Sequence, residues 1–242
     1  MRIIPRIDIK NNYVIKGINL EGLRKIGDPK KIIEEYYKDN ADEILIIDSV
    51  ASLYGRNNLY DLIEEITKEI FIPITLGGGI KTLNDIELSL KSGADKVAIN
   101  SGAIENKKFI KQASKIFGSS TIISSIEAKK INNNLWEPYT NCGRERSKIN
   151  LIDWIKKVQD DGCGEIILTS IDHEGTEKGF DIELLDIVFK YIFRPLIFCG
   201  GCGALNDIKK IKKKFNDCSV SIASILHYKK IKISQIKKKL FL

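Results

Sequence analysis

The second half of this chain resembles the first half. Residues 78–86 read Gly-Gly-x-x-x-Leu-Asn-Asp-Ile, and residues 200–208 show the same pattern 122 positions later. The same offset carries Glu43 onto Glu165. Because this period is much longer than one helix or strand, the repeat predicts a fold assembled from two similar units.

Short apolar runs rich in β-branched residues alternate with stretches of helical periodicity. Eight strands are predicted, at residues 3–8, 43–48, 72–76, 96–100, 121–127, 165–170, 195–199 and 219–223. Helical patterns between them include residues 28–40, 58–70, 82–93, 106–118 and 151–162. This alternation predicts parallel strands joined by helical crossovers.

The chain length suits a barrel of such units. Its 242 residues hold eight strand and helix units of about 30 residues each. The predicted fold is therefore α/β, a single domain forming an eight-stranded β/α (TIM) barrel built from half-barrels at about 1–120 and 121–242. A doubly wound open sheet would require neither eight units nor the repeat.

The composition is that of a soluble globular protein, with 43% hydrophobic and 29% charged residues. Apolar stretches fall short of the roughly 20 residues that a membrane span needs, so we expect a cytoplasmic protein without membrane contact. Five cysteines, an odd number, indicate reduced thiols. We expect neither a metal nor a cofactor.

The formal net charge of +7 permits two interpretations. The lysine runs carry no interleaved aromatic residues, which favours solvated helix faces over nucleic-acid binding. A net positive charge also suits a phosphorylated small-molecule substrate.

Polar residues that follow the predicted strands are the candidates for chemistry, because active sites of β/α barrels lie at the carboxyl ends of the strands. They are Asp8, Asp48, Asn100, Glu127, Ser170 and Asp172. An offset of 119 relates Asp8 to Glu127, which places the two on opposite strands, one and five. Facing carboxyl groups suit general acid and base catalysis. Helix capping by either residue is the alternative.

Two glycine turns predict phosphate sites. Gly78 and Gly79 follow the third strand, and Gly200 and Gly201 follow the seventh. The helices after strands four and eight begin near Ser101 and near Ala223-Ser224, where a helix start can complete an anion site. We therefore expect one phosphate site in each half; the alternative is that the glycines only permit tight turns.

Four charged residues stand where strands begin: Arg2, Glu43, Lys96 and Glu165. They comprise two residues of each sign and can form a ring of ion pairs that closes the bottom of the barrel. The bottom face of a β/α barrel usually serves stability.

Several segments resemble a known family. They are RIDIK at 6–10, VIKG at 14–17, GLRKIGDP at 22–29, LGGGI at 76–80, GADKVAIN at 93–100, GEIILTSID at 164–172, EGTEKGFD at 174–181 and CGGCG at 199–203. In this order they are similar to the cyclase subunit of imidazole glycerol phosphate synthase. The sister isomerase of histidine biosynthesis shares the half-barrel repeat but not the GADKVAIN and TSID segments as they stand here.

The resemblance implies a substrate with two phosphates, phosphoribulosyl-formimino-AICAR phosphate, which ammonia converts to imidazole glycerol phosphate and AICAR ribonucleotide. It implies a heterodimer with a glutaminase subunit that docks on the barrel bottom, where the ring of Arg2, Glu43, Lys96 and Glu165 gates ammonia. Asp8 matches the first catalytic aspartate, and Glu127 stands where the second belongs. Lys16 and Asn100 match assisting positions of the family. With Asp48 and Ser170, which end predicted strands, they are the expected substrate-binding residues.

Four positions depart from the family pattern. Glu127 is one methylene longer than aspartate, and Arg6 points into the barrel where a small residue is usual, with Asp8 or Glu127 as its expected partner. Cys199 and Glu174 replace the commoner serine and aspartate. These changes resemble a paralogous branch that supplies ammonia for amidation of surface sugars. A third hypothesis is a non-catalytic scaffold that activates the glutaminase.

Overall fold

A closed barrel of eight parallel strands organises residues 1–51 and 59–241, the part of the chain that the computed structural model describes. The strands are β1 (Ile3–Lys10), β2 (Ile44–Asp48), β3 (Ile74–Gly77), β4 (Lys96–Ile99), β5 (Ile122–Asn132), β6 (Glu165–Ser170), β7 (Leu196–Cys199) and β8 (Cys218–Ile222). Each pairs in parallel with the next, and β8 pairs with β1, where Ile3 lies opposite Val220. The predicted TIM barrel is confirmed.

Amphipathic helices surround the barrel. They are α1 (Pro29–Lys38), α2 (Tyr60–Ile66), α3 (Leu83–Lys91), α4 (Ser101–Glu105), α5 (Phe109–Phe117), α6 (Leu151–Asp160), α7 (Ile182–Val188), α8 (Leu205–Lys214), α9 (Ser224–His227) and α10 (Ile233–Phe241). The five predicted helices correspond to α1, α2, α3, α5 and α6, although residue 58, the first of the second prediction, lies outside the described residues. None of the described helices has the length and apolar content to cross a lipid bilayer.

Alternating side chains on each strand serve two separate cores. On β1, Ile3 and Ile7 pack outward against the helices, whereas Ile4 faces the barrel interior. The interior cluster consists of Ile4, Leu45, Ala98, Ile123, Ile167, Ile197 and Cys199. This alternation directs Arg6 and Asp8, two and four residues after Ile4, to the interior as well.

Two antiparallel hairpins extend beyond the barrel and were not predicted. The first hairpin pairs Tyr13–Ile18 with β1 and with Glu21–Gly27. The second hairpin pairs Leu135–Thr140 with the end of β5 and with Glu145–Arg146. The predicted strands one and five were consequently too short at their carboxyl ends. Asparagines with positive φ, Asn11 (55°) and Asn134 (60°), provide the turns that continue these strands as ribbons.

Candidate active site

Three adjoining cavities lie at the mouth of the barrel, where the carboxyl ends of the strands meet. The central cavity is bordered by Asp8, Lys16 and Glu127. The first-half cavity lies at the Gly78-Gly79 turn, and the second-half cavity lies at the Gly200-Gly201 turn. This is the end of a β/α barrel that carries catalytic residues.

Asp8, on β1, lies beside two cations. Its Oδ1 accepts a hydrogen bond from Nε of Arg6 at 2.9 Å, and Nζ of Lys16 lies 3.8 Å from its Oδ2. Burial disfavours the carboxylate, but the charges of Arg6 and Lys16 outweigh that effect, so the pKa of Asp8 falls below its usual value. Asp8 is therefore ionised at neutral pH.

Glu127, on β5, has weaker partners than Asp8. Its Oε2 accepts a hydrogen bond of 3.2 Å from Nδ2 of Asn100. Burial raises the pKa of Glu127 to about 7, against the opposing charge of Arg6 and with a contribution from Asp8. A carboxyl group that titrates near neutral pH is suited to both giving and taking a proton.

A second buried ion pair joins the first hairpin to the loop after β6. Lys16 donates to Glu174, and both residues are less than 5% exposed. The pairs Arg6–Asp8 and Lys16–Glu174 together balance two positive with two negative charges. Glu127 therefore has no buried cation of its own when it loses its proton, which agrees with its raised pKa.

Close backbone packing accounts for the glycines of the first-half cavity. Gly78 has a φ of 97°, and a Cβ atom there would lie 2.3 Å from the carbonyl oxygen of Asp48 at the end of β2. The Asp48 side chain accepts hydrogen bonds from the N–H groups of Val50 and Ala51 at 3.0 and 2.9 Å, which stabilises the turn after β2. Asp48 thus borders the cavity while also holding this turn.

The second-half cavity repeats that packing. A Cβ atom at Gly200 would lie 2.7 Å from the carbonyl oxygen of Ser170, the residue 122 positions after Asp48. Gly201 is equally constrained, because its Cβ would lie 2.1 Å from the carbonyl oxygen of Gly179. The Ser170 hydroxyl donates to Asp181 at 2.7 Å and is fully buried, so it lies behind the wall of the cavity.

The helix starts are also related by the repeat. Asn100 precedes α4 with φ −118° and ψ −89°, and Ala223 precedes α9 with φ −131° and ψ −71°. Ser101 and Ser224 follow them and border the first-half and second-half cavities. The buried Oδ1 of Asn100 has no hydrogen-bond partner among the described residues. Each half thus places the glycines of its turn and the serine that begins a helix at its cavity.

At the opposite end of the barrel, Arg2, Glu43, Lys96 and Glu165 form a closed ring of ion pairs. Arg2 lies 2.8 Å from Glu43 and also pairs with Glu165. Lys96 lies 2.9 Å from Glu43 and 3.2 Å from Glu165. A cavity of about 470 Å³ opens beside Arg2, Lys96 and Glu165 on this bottom face.

Sequence reasoning missed several residues that border the mouth, among them Cys142, Arg144 and Lys81. Cys142 and Arg144 reach the central cavity from the second hairpin, which was not predicted. Lys81 borders the first-half cavity, and its Nζ lies 2.9 Å from Glu105. Its position two residues after Gly79 was a usable signal, because a cation just beyond a glycine turn suits an anion site.

Comparison with known proteins identifies the family of this chain. The chain matches the family described as "Histidine biosynthesis protein" over residues 2–232, which makes it a β/α-barrel protein of that class. It is 47% identical over 207 residues to the imidazole glycerol phosphate synthase subunit HisF of Legionella pneumophila, which covers 86% of this chain and 98% of that protein. It is 42% identical over 240 residues to the HisF subunit of Lactococcus lactis subsp. cremoris (strain MG1363), which covers 99% of this chain and 93% of the relative.

A third relative, the HisF subunit of Bacillus cereus (strain G9842), is 40% identical over 239 residues, which covers 99% of this chain and 95% of that protein. The chain belongs to the HisF family of imidazole glycerol phosphate synthase subunits. The resemblance inferred from the sequence segments is thereby confirmed.

Proposed function

We propose that this chain is the cyclase subunit of a glutamine-dependent imidazole glycerol phosphate synthase. It converts phosphoribulosyl-formimino-AICAR phosphate and ammonia to imidazole glycerol phosphate and AICAR ribonucleotide in the cytoplasm. The ammonia comes from a glutaminase subunit with which it forms a heterodimer. The names and the high identity of its relatives support this assignment.

The observation that carries the proposal is the arrangement of Asp8 and Glu127. They stand on β1 and β5, on opposite sides of the mouth, and border one central cavity. Because Asp8 is ionised while Glu127 titrates near neutral pH, the cavity offers a proton acceptor and a proton donor at the same time. Acid and base steps on one substrate require this combination.

The flanking cavities suit a substrate with a phosphate at each end. Gly78, Gly79 and Ser101 receive one phosphate in the first-half cavity. Gly200, Gly201, Ala223 and Ser224 receive the other in the second-half cavity. The reacting atoms of a substrate that spans both then lie over the central cavity.

Four residues orient the substrate between the phosphates. Lys16 borders the central cavity, and Asp48 and Asn100 border the first-half cavity. The unpartnered Oδ1 of Asn100 is an acceptor for an N–H or O–H group of the ligand. Ser170 acts from behind the wall by fixing Asp181, the residue that caps α7.

The bottom face receives the glutaminase subunit. The ring of Arg2, Glu43, Lys96 and Glu165 lies at the bottom entrance to the barrel interior and serves as the gate through which ammonia enters. Since the ring contains two charges of each sign, rearranging one ion pair opens it without a net change of charge.

Arg6 favours a second candidate function. Its guanidinium borders all three mouth cavities and hydrogen-bonds to Asp8, so a paralog that only conducts ammonia to an acceptor of another enzyme is the alternative. In that case the mouth would deliver ammonia without converting a bis-phosphate.

One assay separates the two functions. The purified protein should convert the bis-phosphate substrate with saturating ammonium salt, and Asp8→Asn should lower turnover by about a hundredfold to ten-thousandfold, because a positioned acid or base is lost. Glu127→Asp should also lower the rate, because it shortens the reach of the proton donor. Glu64→Gln, on the exposed side of α2, is the control. Wild-type protein that binds the substrate without turnover would overturn the cyclase assignment and leave the ammonia-conducting paralog.

A further inference from the structure

We propose that Arg6 is an internal plug that separates the mouth of the barrel from the opening at its bottom. The side chain must move before a small molecule can pass along the axis. The inference rests on the proposed function only for the identity of that molecule, ammonia. The closure itself follows from the position of one side chain.

Arg6 lies in the barrel interior, one layer nearer to the mouth than the apolar cluster around Ile4. Strand alternation directs it inward between Ile4 and Asp8, and it is only 5% exposed. Toward the bottom, the interior is filled by the apolar cluster that contains Ile4, Leu45 and Ile167. A guanidinium cannot retreat into that apolar layer without losing its hydrogen bonds, so its free movement is toward the mouth.

The side chain crosses the interior. Its Nε donates to Asp8 on its own strand at 2.9 Å, and its Nη1 donates to Oγ1 of Thr169 on β6 at 3.0 Å. Strands β7 and β8 lie between β6 and β1 in the sheet, so these two bonds anchor the guanidinium at separate walls. All three mouth cavities have Arg6 in their walls, which makes it their common floor.

The bottom opening is already closed by the ring of Arg2, Glu43, Lys96 and Glu165. Arg6 therefore adds a second closure in series, at the other end of the apolar interior. Two closures in series keep water and ions out of the passage and retain ammonia until the mouth is ready to use it.

A native thiol reports on the plug. Cys199, on β7, belongs to the interior cluster, is fully buried and lies near enough to feel the charge of Arg6. Methyl methanethiolsulfonate is a small neutral reagent that forms a mixed disulfide with a thiol and releases methanesulfinate. Peptide mass spectrometry then gives the labelling rate at each cysteine. Cys163 and Cys218, both buried in the outer core, are internal controls.

Arg6→Ala should raise the labelling rate of Cys199 at least tenfold and leave Cys163 and Cys218 at their wild-type rates. The acceleration cannot arise from the reactivity of the thiol, because removing the nearby cation raises the pKa of Cys199 and reduces its thiolate fraction. An unchanged Cys199 rate in a folded Arg6→Ala protein would overturn the proposal.

A second variant covers the case in which Arg6→Ala unfolds and all buried cysteines react together. Thr169→Val keeps every charge and nearly the same volume but removes the far anchor of the guanidinium. It also removes a hydrogen bond that lowers the pKa of Cys199, and that loss reduces the thiolate fraction and cannot accelerate labelling. It should raise the Cys199 rate at least twofold, whereas Thr67→Val, at the half-buried C-cap of α2, should not change it. If Arg6→Ala is unfolded and Cys199 of Thr169→Val is labelled at the wild-type rate, the plug is refuted.

The labelling result stands apart from the assay of function. If no variant converts the bis-phosphate substrate but Arg6→Ala exposes Cys199, the cyclase assignment fails and the plug remains. If the substrate is converted but labelling does not respond to either substitution, the plug fails and the assignment remains.

Discussion

Two carboxyl groups of the mouth differ in ionisation because their neighbours differ. Arg6 and Lys16 approach Asp8, whereas Glu127 receives its side-chain hydrogen bond from the neutral amide of Asn100. Burial acts on both groups, so the cations decide the outcome for Asp8. The ionisation of the mouth carboxyl groups thus depends on Arg6 as well as on burial.

The raised pKa of Glu127 predicts a specific dependence of stability on pH. Its folded value of about 7 exceeds its usual 4.5, so the native state binds this proton more tightly than the unfolded chain does. The resulting stabilisation is complete below pH 4.5 and is lost as the pH rises through 7. Glu127→Gln imitates the protonated form. Between pH 4.5 and 8 its free energy of unfolding should therefore rise relative to that of wild type by on the order of 3 kcal/mol.

Urea unfolding of both proteins at pH 4.5, 6, 7 and 8 measures this difference. For Glu64→Gln, an exposed substitution on α2, the free energy of unfolding should differ from that of wild type by the same amount at every pH. Parallel curves for Glu127→Gln and wild type would show that Glu127 titrates like an ordinary glutamate.

At the residue scale, strand alternation was sufficient to place Asp8, Glu127 and Arg6 inside the barrel. It left two partners open for Arg6, and the structure selects Asp8 for the ion pair. The contact with Thr169 depends on which strand lies across the interior, and the spacing of one strand carries no information about that. Ser170 was a candidate because it ends a strand, but its hydroxyl is directed to Asp181.

Two repeat-related helices differ in one capping residue. At α3, Asp85 accepts hydrogen bonds from the N–H groups of Lys81 and Thr82 at 2.9 and 2.7 Å, and Thr82 accepts one in return from the N–H of Asp85 at 3.2 Å. At α8, Asp207 accepts from the N–H groups of Gly203 and Ala204 at 3.0 and 2.9 Å. The alanine side chain has no oxygen with which to return that bond, and the N–H of Asp207 donates instead to the backbone carbonyl of Ala204 at 3.1 Å.

Ala204→Thr should therefore stabilise the protein by about 0.5–1 kcal/mol, because it completes the capping box of α8. Thr82→Ala makes the reverse change in the other half and should destabilise by about 1 kcal/mol. Thermal or urea unfolding of the two variants measures both effects. If Ala204→Thr has no effect while Thr82→Ala destabilises, the two helix starts are not equivalent.

At the element scale, the hairpins explain what sequence reasoning could not place. Barrel strands and helices follow from apolar periodicity, but the hairpin strands share no burial pattern, since Glu21–Gly27 is mostly exposed and Leu135–Thr140 is mostly buried. Lys16 reaches the mouth because Ile15 lies opposite Asp8 in the pairing of the first hairpin with β1. The family resemblance pointed to Lys16, while the residue pattern alone did not.

At the scale of the whole molecule, the two ends of the barrel have separate roles in the proposed function. Lys96→Ala removes one member of the bottom ring without touching the mouth. It should impair glutamine-dependent turnover several-fold more than ammonium-dependent turnover, measured with the glutaminase subunit present. Lys91→Ala, at the exposed end of α3, is the matched control. Equal losses with both nitrogen sources would contradict the gate.

The half-barrel symmetry predicts where anions bind. Crystals soaked in phosphate should show one anion at Gly79 and Ser101 and another at Gly201 and Ser224. The two positions should be related by the same rotation that relates the halves. Anions found only elsewhere would contradict a bis-phosphate ligand. The similarity of the halves at about 1–120 and 121–242 would then reflect the packing of the barrel alone.

The glycine turns bear on how such barrels change during evolution. A side chain at Gly78 or Gly200 would collide with the carbonyl oxygen of the neighbouring strand end whether or not a ligand is present. A descendant that had lost its substrate would thus retain both glycines for as long as its barrel stayed closed. Genome surveys that seek working members of this family should therefore weigh Ser101 and Ser224 above the more visible glycine motifs.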